Sequence, residues 1–218
     1  LSAEITIVVA DDHALVRGAL TERLKQEPGF SVLATAGTAD EAVEQVLVHK
    51  PRILLMDIDM PGLICFDAAR TIGATCPDTR IVFLSGFLHD WYIEQALDVK
   101  ARGYLTKREA PEVVVAALRE VAGGGAYFSE EVRSRIVVDV GGPRLAKRSM
   151  SRAATLTARE VEVLRYVARG LSKKEVATTM HLSVKTVDRH CANLMTKLDI
   201  HDRVELARFA IREGLANA

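Results

Sequence analysis

The sequence predicts a doubly wound α/β domain on a five-stranded parallel sheet, followed by an all-α domain of four helices. Three observations carry that expectation. Short apolar runs alternate with amphipathic stretches as far as residue 122. The triple glycine Gly123-Gly124-Gly125 then stops the helical pattern. From Leu156 onward only helical periods appear.

Five runs suit strands buried on both faces: residues 5–10, 32–36, 53–56, 81–84 and the short 103–105. Between them lie helical patterns. After His13, Leu15, Ala19 and Leu20 fall near Leu24 on one face. Thr38 caps a helix containing Ala42, Val43 and Val46, with Glu41 three residues on as its capping-box partner. Pro111 suits the first turn of a helix packing Val114, Ala117, Leu118 and Val121. Strands alternating with helices make a parallel sheet, whose working residues lie at the carboxyl ends of the strands.

The first domain is expected over residues 1–122, a linker over 123–152 and the second domain over 153–218. Within the linker, residues 129–140 suit a short helix. Gly141-Gly142-Pro143 and the basic, Ser-containing stretch to Arg152 read as flexible. The four later helices start near Thr157, Ser172, Ser183 and Asp202. Thr157 with Glu160, and Ser172 with Glu175, form capping boxes.

A net charge of zero hides an asymmetry. Residues 1–122 carry 12 Lys and Arg against 18 Asp and Glu, whereas 123–218 carry 17 against 11. A polyanion is drawn to the second half and repelled by the first. No apolar run approaches the roughly 18 residues of a membrane span, and no secretory signal precedes the first strand, so a cytoplasmic protein is expected. Cys65, Cys76 and Cys191 are odd in number and widely spaced, as buried thiols are rather than zinc ligands.

The sheet reading brings distant residues to one edge. Asp11 and Asp12 end the first strand, Asp57 the third and Ser85 the fourth, and Lys107 follows the fifth. Taken singly, each Asp reads as a turn or helix cap and Lys107 as a surface lysine. Together the carboxylates repel one another unless a cation neutralises them. A hard divalent ion such as Mg²⁺, held by oxygen ligands, meets that need and also takes phosphate oxygens. Asp57 would then be the nucleophile that forms an aspartyl phosphate, with Mg²⁺ and Lys107 offsetting charge on the transferred group.

In the second half, Val161, Leu164 and Val167 face inward and Gly170 ends the first helix. Ser172-Lys173-Lys174 opens the next helix, and Ser183 caps a third running to about Leu198. The apolar line of that third helix is Val187, Leu194 and Leu198, with Lys185, Arg189 and Asn193 turned elsewhere. A short helix, a tight turn and a polar-faced helix are the elements of helix-turn-helix DNA readers.

These motifs carry a family resemblance. Residues 1–122 resemble a two-component receiver domain of flavodoxin-like topology. Asp11-Asp12 matches its metal-binding acidic pair, and Asp57, in Leu-Leu-Met-Asp-Ile-Asp-Met-Pro-Gly, its phosphoacceptor. Ser85 matches the switch hydroxyl, Tyr104 the switch aromatic and Lys107 the family lysine. The resemblance implies that Asp59 supplies a backbone carbonyl to the metal, and that Pro61-Gly62 shapes the following loop. It also implies a switch, in which Ser85 moves toward the phosphoryl group and Tyr104 turns into the vacated space. The other reading of Tyr104 is a partly buried core aromatic with its hydroxyl in water. Ile64-Cys65-Phe66 departs from the small or polar residues usual there, which suggests a changed partner surface.

Residues 156–215 resemble the LuxR-type helix-turn-helix of NarL/FixJ response regulators, through Leu-Thr-Ala-Arg-Glu, Ser-Lys-Lys-Glu-Val-Ala, Ser-Val-Lys-Thr-Val-Asp-Arg-His and His-Asp-Arg-Val-Glu-Leu-Ala. The resemblance places residues 183–198 in the major groove. Lys185 and Thr186 would meet phosphates, Asp188, Arg189 and Ala192 would face the groove, and Lys173, Lys174 and Asn193 would belong to the same DNA-binding surface. Arg189 can donate two hydrogen bonds to guanine. Asp188 stands where some relatives carry a basic residue, and three roles stay open: accepting from cytosine, excluding a wrong base, or orienting Arg189. The last helix, with Val204, Leu206 and Ile211, resembles the family's dimer-forming helix, although such residues also suit a core.

The function so implied is a phosphorylation-controlled transcription regulator rather than an enzyme. Its partners would be DNA with repeated half-sites, a sensor histidine kinase, a second copy on activation, and RNA polymerase. Phosphorylation would act mainly by promoting pairing. Asp57-Ile58-Asp59 also fits the Asp-x-Asp of haloacid dehalogenase-type phosphatases, but there the motif sits on the first strand beneath a cap. A receiver acting as an interaction module, with DNA binding independent of phosphate, is the third reading.

Overall fold

The computed structural model describes residues 4–61, 64–139, 142–146 and 152–216. Two compact units emerge: residues 1–86 with 93–146, and residues 87–92 with 147–218. The first contains β1 (Ile5–Ala10), α1 (Ala14–Lys25), β2 (Phe30–Ala36), α2 (Ala39–His49), β3 (Ile53–Asp57), α3 (Cys65–Thr75), β4 (Arg80–Ser85), most of α4 (Asp90–Asp98), β5 (Gly103–Thr106) and α5 (Pro111–Ala122). It continues through β6 (Tyr127–Phe128), α6 (Glu130–Arg133), β7 (Ile136–Asp139) and β8 (Gly142–Leu145).

The main sheet is parallel, in the order β2-β1-β3-β4-β5-β6. Its strands are apolar throughout because both faces are covered. Ile7 and Val9 point to the face shared with Leu24 of α1 and with Val114, Leu118 and Val121 of α5. Val8 and Ala10 take the opposite face and are equally buried. Loss of one such side chain, as in Leu55→Ala, costs about 2–5 kcal/mol.

Two expectations about helix faces need correction. Leu15 is 89% exposed, and Ala19 is exposed too. Helix α1 instead turns Leu20, Thr21 and Leu24 inward, a stripe set by the position of Leu24 under α5. Ile64, Cys65 and Phe66 do not form a surface. All three are buried, and the Phe66 ring meets Phe83 edge-on at 5.2 Å, so these bulky residues fill the core beneath α3. Gly62 lies outside the described residues. Thr38 does cap α2 by accepting from the Glu41 N–H, but the Glu41 carboxylate reaches back to the Gly37 N–H.

The segment read as a linker is largely structured. β6 adds to the sheet beside β5, α6 spans only four residues, and β7 pairs antiparallel with β8. The expected helix over 129–140 is therefore one turn followed by a strand, and Gly142-Pro143 belongs to a hairpin. Gly141 and residues 147–151 lie outside the described residues. Gly103 permits the close approach of β6: a Cβ there would sit 2.9 Å from the Tyr127 carbonyl oxygen and 3.0 Å from Val82 Cγ1. Ser129 fastens the join. It is buried, its N–H donates to the Tyr104 carbonyl at 3.0 Å, and its Oγ accepts from the Thr106 N–H at 3.1 Å.

The second unit holds α7 (Ala158–Ala168), α8 (Lys173–Thr179), α9 (Val184–Leu198) and α10 (Arg203–Arg212), after a short 3₁₀ turn at Arg152–Thr155. Both capping boxes form, at Thr157/Glu160 and Ser172/Glu175. Ser183 and Asp202 cap α9 and α10 by accepting from the N–H of Thr186 and Glu205. Gly170, with φ of +84°, supplies the left-handed residue that ends α7. The unit's core joins Val161, Leu164 and Val167 to Val176, Val187, Leu194, Leu198 and Leu206, all buried.

Candidate functional site

Sheet register brings the acidic residues together. Ala10 pairs with Met56, so Asp11 and Asp57, each one residue further on, stand side by side where strand order reverses. Ser85 pairs with Thr106, which puts Lys107 at the same edge, its N–H donating to the Ser85 carbonyl at 2.9 Å. The Lys107 Nζ lies 2.7 Å from Asp57 Oδ2 and 2.8 Å from Asp11 Oδ2. Both Asp side chains are 1% exposed.

Burial pushes the Asp57 carboxyl up to about 6, against the pull of the Lys107 ammonium. Burial by itself lowers the Lys107 pKa, but the Asp57 and Asp11 carboxylates more than reverse this and hold it above its ordinary value. The Asp59 N–H donates to Asp57 Oδ1 at 3.2 Å, so both oxygens of Asp57 are oriented.

Asp11, Asp12, His13 and Asp57 each bring a ligand atom within 4.8 Å of the others, a group able to hold a divalent ion. Asp11 Oδ2 and Asp12 Oδ1 are buried without a hydrogen bond, and their charge partners are Lys107 and, at 2.7 Å, His13 Nδ1. Hard carboxylate donors left in this state fit a hard cation. The carboxylate of Asp59 is not among the grouped ligand atoms. His13 was missed in the sequence, although it directly follows the acidic pair. Arg17 was missed as well; its guanidinium donates to the Asp11 carbonyl and steadies the turn after β1.

Ser85 and Tyr104 are both fully buried. The alternative reading of Tyr104, a partly buried aromatic with its hydroxyl in water, therefore fails, since none of the residue is exposed. Tyr104 precedes Lys107 on one continuous stretch of chain, so β5 links the pocket to the sheet edge.

In the second unit, α9 splits into two faces. Val187, Cys191, Leu194 and Leu198 are buried. Lys185, Asp188, Arg189, Ala192 and Asn193 are exposed, and Thr186 is half-buried with its N–H on Ser183 Oγ. Lys173 and Lys174, at the start of α8, are exposed too. Lys173 Nζ lies 2.5 Å from Asp188 Oδ1, a pair that joins α8 to α9. On α10, Leu206 is core, whereas Val204 and Ile211 are 59% and 39% exposed.

A parallel sheet with an acidic, lysine-bridged edge, joined to a four-helix unit with a cationic helix face, defines a signal-receiving DNA-binding protein. Comparison with known proteins agrees. Residues 7–119 match the response regulator receiver domain, and residues 154–210 the bacterial regulatory proteins of the luxR family. The chain is 34% identical over 216 residues to the oxygen regulatory protein NreC of Staphylococcus epidermidis, covering 96% of this chain and 98% of that one. It is 31% identical over 214 residues to the response regulator UvrY of Escherichia coli, covering 98% and 97%. Its fold matches that of RcsB from Salmonella typhimurium with a TM-score of 0.74 at 21% identity, covering 97% and 99%. The chain belongs to the NarL/LuxR family of two-component response regulators, in which a receiver domain controls a DNA-binding domain. Membership makes DNA and a sensor kinase its partner classes. Among the described residues, no helix is long and apolar enough to cross a membrane.

Proposed function

We propose that Asp57 is the phosphoacceptor, and that its phosphorylation promotes pairing of two chains on repeated DNA half-sites. The observation that supports this most is the Lys107 ammonium, held within 2.8 Å of two buried carboxylates at the switch point of the sheet. A carboxylate oxygen of Asp57 attacks the phosphorus of a kinase phosphohistidine or of acetyl phosphate. The new O–P bond forms as the bond to the leaving group breaks, and the leaving group keeps the electron pair. Lys107 is placed to follow the transferred charge, since its amine already spans Asp11 and Asp57.

Asp11, Asp12 and Asp57 would hold Mg²⁺, with the backbone carbonyl of Asp59. When bound, the ion offsets the negative charge of the carboxylates and of the incoming phosphoryl group. Ser85 and Tyr104 would carry the change along β4 and β5. On the DNA side, Arg189 reads bases, with Ala192 and Asn193 beside it. Lys174, Lys185 and Thr186 contact the backbone. The exposed Val204 and Ile211 of α10 supply an apolar strip for a second copy, and RNA polymerase is a further partner of the DNA-bound dimer. A reducing, cytoplasmic setting fits three free, buried cysteines.

The test is incubation with acetyl phosphate and Mg²⁺, followed by intact-mass measurement of the wild type and of Asp57→Asn. Wild type should gain one phosphoryl group and the variant none. Equal labelling would move the acceptor elsewhere. Sedimentation of both forms, with and without a duplex carrying two half-sites, should then show pairing only in the labelled protein.

A further inference from the structure

Asp188 forms an ion pair with Lys173 of the neighbouring helix. Lys173 opens α8 and Asp188 lies one turn into α9, fifteen residues away in sequence. Their side chains are 54% and 48% exposed, and Nζ stands 2.5 Å from Oδ1. Asp188 is the one acidic residue among the eight positions expected to face DNA, five of which are Lys, Arg or Asn. Its carboxylate is turned to the lysine of the neighbouring helix. Hydrogen bonding to Asp188 also raises the Lys173 pKa, so the ammonium has a partner within the protein.

We propose that Asp188 is an internal competitor for Lys173, standing in for a DNA phosphate and keeping a single reading head weak on any duplex. This rests on the DNA-reading role proposed above for α9. A half-exposed pair is worth about 0–1 kcal/mol, enough to keep Lys173 on its own carboxylate when the alternative is one screened phosphate. Each lysine that neutralises a phosphate adds roughly 0.9 to the slope of log affinity against log salt. Holding Lys173 on Asp188 removes one such contribution from every duplex, whatever its sequence. A head weakened in this way needs a second head beside it for stable occupancy, which makes binding depend on pairing. The same contact explains why an acidic residue can stand on a face that meets a polyanion.

The experiment uses the full chain and a fluorescent duplex of arbitrary sequence, titrated from roughly 50 to 200 mM salt. Wild type, Asp188→Asn, Lys173→Ala and the double variant form one cycle, with circular dichroism as the check on folding. Asp188→Asn should bind more tightly at low salt and show a slope steeper by about one contact, an extra loss of roughly threefold across that range. In the Lys173→Ala background the same change should lose most of its effect. A base-by-base selection from a randomised library should return the same preference for wild type and Asp188→Asn. Equal slopes for wild type and Asp188→Asn would overturn the proposal. So would an undiminished effect without Lys173, or loss of a preference for cytosine at one position. Absence of salt-dependent binding in all four proteins would overturn the DNA-reading role itself, and the proposal with it.

Discussion

Ser129 Oγ accepts the backbone N–H of Thr106 at 3.1 Å, one residue before the lysine that bridges Asp11 and Asp57. The Ser129 N–H donates in turn to the Tyr104 carbonyl. A residue outside the five expected strands thus fixes both ends of the stretch from Tyr104 to Thr106, next to Lys107. Ser129→Ala strands a buried N–H and should destabilise the first unit by about 1–3 kcal/mol. Gly103→Ala should act on the same join by pressing a methyl against the Tyr127 carbonyl. Hydrogen exchange is the measurement: amides of 103–106 and 127–129 should speed up in both variants, ahead of those in β1 and β3.

Lys107 neutralises two carboxylates that the register of β1 on β3 brings together. Lys107→Met leaves two buried carboxylates facing each other, and in the absence of metal should cost about 3 kcal/mol or more. Adding Asp57→Asn should return much of that loss. Mg²⁺ should stabilise Lys107→Met more than wild type, because only the variant lacks a cation there. Urea unfolding with and without Mg²⁺ reads all three effects. Equal Mg²⁺ gains in the two proteins would show that the ion binds away from this edge.

The second unit carries its own pH dependence at Glu160. This side chain is 3% exposed, receives the Lys197 ammonium at 2.7 Å and the Thr157 N–H at 2.8 Å, and closes the α7 capping box. Burial alone would raise its pKa, but Lys197 and Thr157 outweigh burial and hold the carboxyl below the usual range. A depressed folded-state pKa stabilises the protein above the unfolded value of about 4.3. That contribution is lost as pH falls from there through the folded value. Glu160→Gln should therefore be clearly less stable than wild type at pH 7, with the gap closing below about pH 4. The helical transition in urea, followed across pH, gives the comparison.

Arg189 and Lys185 should separate by what their loss does to sequence preference. Arg189→Ala should cost about 1–3 kcal/mol on the preferred site and relax selection at one base pair. Lys185→Ala should weaken binding to every duplex alike and flatten its salt dependence by about one contact. Fluorescence anisotropy on selected and arbitrary duplexes distinguishes the two. Uniform weakening by Arg189→Ala would make that residue a phosphate contact.

Much of this was legible in the chain because it rests on local signals. Apolar runs gave the first five strands, and strand ends gave Asp11, Asp57, Ser85 and Lys107 their common edge. The Thr157/Glu160 and Ser172/Glu175 spacings placed α7 and α8. What escaped depends on long-range pairing. Tyr127–Phe128 is too short to show a period, and the preceding glycines disguise it as a break. Leu15 lies beside the buried stripe of α1, so its apolar character pointed to the wrong face. The Lys173–Asp188 pair joins two helices across a turn, and neither residue's own neighbours announce it.

The two-residue β6 also decides what the sheet offers to other molecules. Without it, β5 would be the last strand of the row, with unpaired amides and carbonyls along an apolar stretch. Such a border is a template for another chain's backbone and a route to aggregation or strand exchange. Tyr127 and Phe128 occupy it with a strand too short to extend the invitation, and the chain leaves at once into α6. Loosening Ser129 would therefore do more than disturb the pocket. It would uncover an adhesive border, and variants at this join should be recognised first by loss of solubility.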